Sequence, residues 1–436
     1  MDMLDQEASG LARGKAPANR RMVRVAAASM AGTAIEAFDF LAYGTAAALV
    51  FNKLFFPSLD PATGTLAAFA AFAAGLFARP IGGIVFGHFG DRIGRKSILI
   101  LSLVLMGLCT TLIGLLPTYS SIGIWAAVLL VVLRVGQGVS FGGEMGGAVL
   151  MAVEHAPPGT KSFYGSLPQA GAPIGILLST GAFALVNMLP NDDFMRWGWR
   201  VPFLASAALV AIGIFIRMKI EETPDFNTVK LQHKVASIPA RDVLVSHLRP
   251  LALAIGGKLA EVTLVYTIIV FSISYATANL GFTRSDALNA VLIGSLCQIF
   301  TIPFFGWLGD RIGARRVYII GTLLLAVMAI PLFHAMGTGS LHLYTFAAVT
   351  ALALNYAIIF GAQSNLYASQ FPPELRYSGI SMGIQIAAAL GGGLAPLIAS
   401  WLVAHLGGIG SVGIYLSFLG LIGAFSAWMM KPTSSD

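Results

Sequence analysis

Charge is what this sequence has least of. Asp, Glu, Lys and Arg make up 11% of its 436 residues, where a soluble domain carries about 25%. A soluble particle could not hide the 56% of residues that are hydrophobic without leaving large apolar patches on its surface. Cysteine is almost missing. Cys109 and Cys297 both lie in apolar stretches, which excludes a disulfide framework and a cysteine metal site and leaves them as small core residues. There is no phosphate-cradling loop of the Gly-x-x-x-x-Gly-Lys-Ser/Thr kind, so direct drive by ATP is not expected. Nor is there a Ser/His/acid or His/Cys constellation at usable spacing. An enzyme is therefore not expected, and neither is a metal or organic cofactor.

What is abundant is long apolar blocks, such as 98–116, 201–216, 317–333 and 411–430, each near the ~20 residues a helix needs to cross a bilayer. Divided at Pro, Gly and charge clusters, the chain reads as twelve spans. They lie near 24–51, 65–89, 97–117, 122–153, 161–189 and 200–219, then 249–279, 286–309, 316–337, 341–369, 377–404 and 410–430. The first block continues past twenty residues with no small-residue cleavage site, which favours a span over a removed leader. Residues 1–23 and 431–436 read as tails. The basic stretch 220–248, with Pro224 and Pro239, reads as a linker between six-helix bundles at 24–219 and 249–430.

The formal charge of +7 is a matter of topology and gives no reason to expect nucleic acid. Of the 27 Lys and Arg, 20 fall in the N-terminal stretch, the alternate connections and the C-terminal end, and 4 (Lys53, Arg196, Arg200, Arg284) in the opposite connections. Arg79, Arg134 and Lys258 lie inside spans. One-sided basicity orients a membrane protein and here predicts both termini in the cytoplasm, with the chain multi-pass in an inner membrane.

The two halves repeat. Gly87-His-Phe-Gly-Asp91-Arg92-Ile-Gly94-Arg95-Lys96 returns as Gly306-Trp-Leu-Gly-Asp310-Arg311-Ile-Gly313-Ala314-Arg315-Arg316, 219 residues on. Pro157-Pro158-Gly159-Thr160-Lys161 is echoed by Pro372-Pro373-Glu374-Leu375-Arg376. Duplicated halves with a solute site between them are a transporter architecture. The glycines allow close helix approach, while Asp91, Arg92, Arg95, Lys96, Asp310 and Arg311 could form a breakable charge network at the cytoplasmic helix ends.

The 87–96 loop resembles the signature of the major facilitator superfamily. Within it the chain is similar to the metabolite/proton symporters, which include shikimate, α-ketoglutarate, citrate and proline/betaine transporters; shikimate-type members look closest. Glu36-Ala-Phe-Asp39-Phe40, Arg79-Pro80-Ile-Gly82-Gly83, Gln137-Gly138, Gly142-Gly143-Glu144, Trp197-Gly-Trp-Arg200-Val-Pro202-Phe203 and Glu221-Glu222-Thr223-Pro224-Asp225-Phe226 carry that likeness, over about 24–430. It implies an all-α membrane fold of two pseudo-symmetric six-helix bundles and alternating-access transport. Two departures stand out. Ala37 takes a place usually aromatic, expected to reshape the site wall near Glu36, and Ala314 replaces an Arg, expected to make the charge network asymmetric.

Ions inside hydrocarbon cost about 2.5–3.5 kcal/mol or more each and ask for a function. Glu36, Asp39 and Tyr43 share one helix face at i, i+3 and i+7. Two such close carboxylates do not readily both ionise, as a reversible proton carrier requires, although one could instead neutralise Arg79 or Arg134. Arg134 resembles the fourth-span arginine that the superfamily links with proton coupling. Arg79 presents a planar fork matching a carboxylate, or else packs against the backbone around Pro80. Lys258 and Glu261, at i and i+3, could satisfy each other or open to an anion. Glu144 is placed toward a cytoplasmic proton exit or in packing. Tyr266, Gln298, Asn355 and Gln385 are placed at solute depth, while Gln169, Gln363 and Asn365 suit helix-to-helix bonding. Gly391-Gly-Gly393 with Pro396, and Gly171-Ala-Pro173-Ile-Gly175, are places to bend, the second faintly resembling an antiporter motif.

The expectation is a monomeric proton-coupled symporter for a small organic acid, its partners being solute, protons and lipid. Proton-coupled uptake of a zwitterionic osmolyte, a proton/drug antiporter and a non-transporting sensor are the alternatives.

Overall fold

The computed structural model describes residues 18–232 and 236–433. In lipid every backbone N–H and C=O needs a partner within the chain, and a helix supplies them all. The described residues accordingly contain helices and no strand, and twelve of the helices are long and apolar enough to cross a bilayer. In chain order they are α1 (Ala18–Ala46), α2 (Pro61–Ile93), α3 (Arg95–Leu115), α4 (Ile124–His155), α5 (Lys161–Val186) and α6 (Val201–Met218). The second set is α7 (Leu248–Asn279), α8 (Arg284–Ile312), α9 (Ala314–Met336), α10 (Leu341–Ala368), α11 (Arg376–His405) and α12 (Gly410–Met429). Their outer faces carry exposed Leu185, Phe300, Val327 and Leu397, as lipid contact requires.

The helices form two six-helix bundles. In the first, α1 packs on α5, α2 on α4, and α3 on α4 and α6; in the second, α9 and α7 pack on α12 and α8 on α10. The bundles meet along two seams, α2 with α11 and α5 with α8. Contact between α2 and α4 is close enough to need glycine. A Cβ on Gly82 would overlap the Val139 carbonyl, and one on Gly138 the Gly75 carbonyl. Much of the motif Arg79-Pro80-Ile-Gly82-Gly83 is therefore packing.

Two sequence expectations are corrected here, and the linker gains detail. The 87–96 stretch is not a loop: α2 runs on to Ile93 and α8 to Ile312, because no residue before Gly94 or Gly313 breaks the helix. Those two glycines turn the chain at φ 121° and 102°, where other residues are strained. The stretch 220–248 holds two short helices, Pro224–Leu231 and Pro239–Ser246, that bury Phe226, Val229 and Val243, so it is packed onto the bundles. Ala37 faces α5 rather than a site wall, for a Cβ on Gly175 would come within 2.6 Å of the Ala37 methyl.

Four spans widen into a π-helical turn: Ala47–Phe51 after α1, Thr267–Phe271 in α7, Ala351–Tyr356 in α10 and Ala388–Gly393 in α11. Such turns shift the hydrogen-bond ladder by one residue and collect at functional sites. In α10 the turn leaves the Leu352 carbonyl to accept from the Gln298 side chain at 3.2 Å, beside buried Asn355.

Candidate functional site

A layer of polar side chains crosses the middle of the molecule between the bundles. Glu36, Asp39, Arg79, Arg134, Lys258, Glu261, Gln298, Asn355 and Gln385 are each at most 5% exposed, so this conformation shuts them from solvent.

In the first bundle the cations lie on aromatic faces and none of the four central ions is ion-paired. The Arg134 guanidinium sits over the rings of Phe40, Tyr43 and Phe72 at 4.0, 4.4 and 4.5 Å. It donates to Gln137 Oε1 at 3.0 Å, and Gln137 in turn donates to the Thr110 hydroxyl at 2.7 Å. Arg79 is held between Phe40 (4.2 Å) and Phe141 (3.9 Å) and reaches the Tyr266 hydroxyl across the bundle interface at 3.4 Å. Both carboxylate oxygens of Asp39 lack a hydrogen-bond partner at bonding distance, although the Ser206 and Thr110 hydroxyls lie beside them; Glu36 Oε1 is likewise unpartnered. Tyr43 packs under Arg134, its hydroxyl unbonded and the side chain wholly buried. Carboxylates left this way in a low-dielectric interior are costly when ionised.

The second bundle is more self-contained. Lys258 pairs with Glu261, donates to Gln363 Oε1 at 3.1 Å and lies 4.6 Å from the Phe360 ring. Of the two readings available for Lys258, this conformation holds the mutually satisfied one. Asn355 has neither amide atom bonded, and Gln385 Nε2 points at the Phe141 carbonyl at 3.5 Å across the interface. Gln169 and Asn365 bond Ser364 and Ser162 in the opposite bundle.

At the basic end, helix N-termini close the seams. Asp91 accepts from the backbone N–H groups of Tyr377 (3.2 Å) and Ser378 (2.9 Å) at the start of α11. Asp310 accepts from those of Ser162 and Phe163 at the start of α5, both at 2.8 Å. A carboxylate there satisfies orphan N–H groups and meets the positive helix end. Gly87 and Gly90 make the approach possible: a Cβ on the first would lie 2.8 Å from Ser378 Cα and one on the second 2.5 Å from the Tyr377 ring.

Among the described residues, ion pairs are added at the first seam. Arg95 lies 3.7 Å from Asp91 and 3.6 Å from Glu154, and Arg376 bonds Glu154 (3.0 Å) and Asp225 (2.6 Å). On the second seam Ala314 stands where Arg95 stands in the first. Arg92 and Arg311, expected in this network, are exposed and outside it, because a residue next to an inward Asp is turned about 100° around the helix. Lys96 stays within its own bundle, its ammonium donating to the Met218 carbonyl and its backbone N–H to Glu222.

Arg217 is the residue that sequence reasoning misplaced. Counted among the 20 basic residues that set the orientation, it is 4% exposed and paired with Glu144, which also accepts from Ser102 at 3.0 Å. Glu144 is thus held in a closed pair. A basic residue two positions from the end of an apolar block gives no sequence clue to whether it turns out or in. The aromatic partners Phe40, Phe72, Phe141 and Phe360 were also missed, since aromatics in a span look like any other apolar filling.

Comparison with known proteins accords with this arrangement. Residues 25–246 match the family model described as "Sugar (and other) transporter", and residues 259–436 match "Major Facilitator Superfamily". The shikimate transporter of Escherichia coli K12 is 43% identical over 420 residues, 95% of each chain. The proline/betaine transporter of Salmonella typhimurium is 32% identical, over 94% of this chain and 83% of that one. Among solved structures, a proton:xylose symporter bound to 6-bromo-6-deoxy-D-glucose superposes with a TM-score of 0.74 at 16% identity, covering 96% and 98% of the two chains. A fucose:proton symporter gives 0.70 at the same identity, covering 94% and 98%.

Proposed function

Since this chain belongs to the major facilitator superfamily, whose members are membrane transporters and not enzymes, we propose that it takes up a small organic acid together with protons. On this reading the polar layer between the bundles is the transport site, in an inner membrane with the basic end and both termini in the cytoplasm. The observation that carries the reading is the pair of buried carboxylates on one face of α1, Glu36 and Asp39, without ion-pair partners and beside Phe40, whose ring carries Arg79 and Arg134. A carboxylate that is buried and unpaired is held at least cost as the neutral acid, so closing this layer favours binding a proton.

The substrate carboxylate goes to Arg79, whose fork is held between the faces of two rings and whose far bond, to Tyr266, is long enough to be exchanged. Arg134 packs on Phe40 and Tyr43, the residues that flank Asp39 on α1, and Asn355 and Gln385 offer unsatisfied amide atoms to substrate hydroxyls. Glu36, Asp39, Glu144 and Glu261 stand against Arg79, Arg134, Arg217 and Lys258, so the interior is neutral when all are ionised. One carboxylate entering with one proton keeps it neutral, which lets the bundles rock without dragging net charge through lipid. The likeness to a shikimate transporter supports a hydroxylated carboxylate as cargo.

The osmolyte alternative draws on the proline/betaine relatives. A quaternary ammonium group needs open aromatic faces, and here Phe40, Phe72 and Phe141 already carry arginines. The antiporter alternative loses its motif to packing, as Gly171 and Gly175 make room for the α1 backbone. The test is uptake into proteoliposomes: shikimate and related hydroxy acids should accumulate faster with an inward proton gradient and betaine should not. Carboxylate uptake indifferent to that gradient would remove the symport reading.

A further inference from the structure

The buried Arg217–Glu144 pair enters the cycle above only through its charge balance, yet it lies against α1. Arg217 comes from the last turn of α6 and turns inward, donating to the Leu99 carbonyl at 2.5 Å and to both Glu144 oxygens. Its guanidinium lies across α1 at Gly32: a Cβ there would run into the Arg217 fork, so glycine is what lets an arginine rest on that face. Glu36 is four residues on from Gly32, the same face of α1 about 6 Å along the axis. The Arg217 fork therefore covers the α1 face on which Glu36 lies. Two carboxylates, Glu144 on α4 and Glu36 on α1, thus lie within reach of one cation.

The remaining neighbours make this a place where a proton can leave. A cavity of about 10 Å³, room for one water, is lined by Arg217, Ser29, Leu99, Lys96 and Ile220, and Lys96 is half-exposed at the basic end. On the other side the Tyr377 hydroxyl of α11 donates to the Gly143 carbonyl next to Glu144, and its backbone N–H is the one that Asp91 holds while the basic end is shut. Opening that seam would withdraw Tyr377 and admit water beside the pair.

Resting on the symport reading, we propose that Arg217 is a counter-ion shared between Glu144 and Glu36, bound to Glu144 in this closed state and drawn to Glu36 as that residue gives up its proton toward the basic end. The O–H bond of Glu36 breaks, the proton leaves on water, and the new carboxylate takes guanidinium donors that Glu144 held. Reprotonation of Glu36 sends Arg217 back. Glu144 is then a positioning residue that competes for the cation, and the strength of its hold sets the pH at which Glu36 discharges.

The test is the pH midpoint of the Glu36 carboxyl infrared band in the full-length protein in liposomes, the band being identified by its loss in Glu36→Gln. Glu144→Gln frees Arg217 for Glu36 and should lower the midpoint by about one pH unit, a tenfold change in proton affinity. Arg217→Gln should raise it, and the double variant should return close to wild type because both opposing charges are gone. Should Glu144→Gln leave the midpoint where it was, or move it upward, the shared counter-ion is refuted. The readout does not depend on transport. A midpoint that moves as stated while wild-type uptake ignores the proton gradient would uphold the sharing and sink the symport reading alone.

Discussion

Replacing Asp91 by Asn removes the charge from the seam between α2 and α11 while keeping its shape. The carboxylate accepts two backbone N–H groups, at 3.2 and 2.9 Å, in a wholly buried position. Hydrogen bonds to a charged acceptor contribute about 1.5–3 kcal/mol each, and neutral ones about 1 kcal/mol. Asparagine keeps one oxygen and turns an amide N–H toward the second donor, so one bond weakens and the other is lost. The expected net loss is about 2–3 kcal/mol of closed-state stability, or about 30- to 150-fold in the closed-to-open ratio. Asp310→Asn likewise weakens one bond of 2.8 Å and loses the other, but that carboxylate is only half-buried and water can replace part of what is lost, leaving about 1–1.5 kcal/mol. Spin labels at Ile93 and Ile312, both exposed at the basic end of opposite bundles, report the separation once Cys109 and Cys297 have been replaced. A longer-distance population should grow strongly in Asp91→Asn and weakly in Asp310→Asn. Superimposable distributions for wild type and Asp91→Asn, or a larger effect at Asp310, would refute the view that the buried carboxylates hold the end shut.

Three further outcomes are expected. Arg79→Lys keeps the charge but loses the planar fork and its stacking between Phe40 and Phe141, so the KM for carboxylate uptake should rise about 10- to 100-fold with less effect on kcat; an unchanged KM would place the substrate elsewhere. Glu261→Gln leaves Lys258 as an unpaired buried cation and should lower the thermal midpoint clearly, consistent with about 3–5 kcal/mol, whereas Lys258→Met with Glu261→Met should recover most of it. Gly82→Ala drives a Cβ into the Val139 carbonyl and should abolish folded protein on size-exclusion chromatography, while Gly181→Ala, with open space around it, should behave as wild type.

The expectations drawn from sequence succeeded where one local property decides the outcome. Twelve apolar blocks had to be helices because lipid leaves the backbone no other partner, and the blocks were visible as composition. The repeated Gly-x-x-Gly-Asp element marked the right seams, since glycine at a close approach and carboxylate at a helix end are requirements of single residues. Expectations failed where direction in space decides. Arg92 sits beside Asp91 in sequence yet points to solvent, and Arg217 reads like a topological charge yet lies beneath α1. Ala37 belongs to the α1–α5 contact rather than to the central layer.

The linear chain therefore determined the solvent, the number of spans, the duplication and which residue types had to be buried at a cost. Apart from Lys258 and Glu261, which share a helix at i and i+3, it could not determine partners, because a buried ion's neighbour comes from another helix tens or hundreds of residues away. The fold alone chose Glu144 for Arg217 and aromatic rings for Arg79 and Arg134. It left Glu36 and Asp39 without an ion-pair partner. The physical reason is that hydrophobicity is a sum over one segment, whereas electrostatic pairing depends on distances that exist only after the helices have packed.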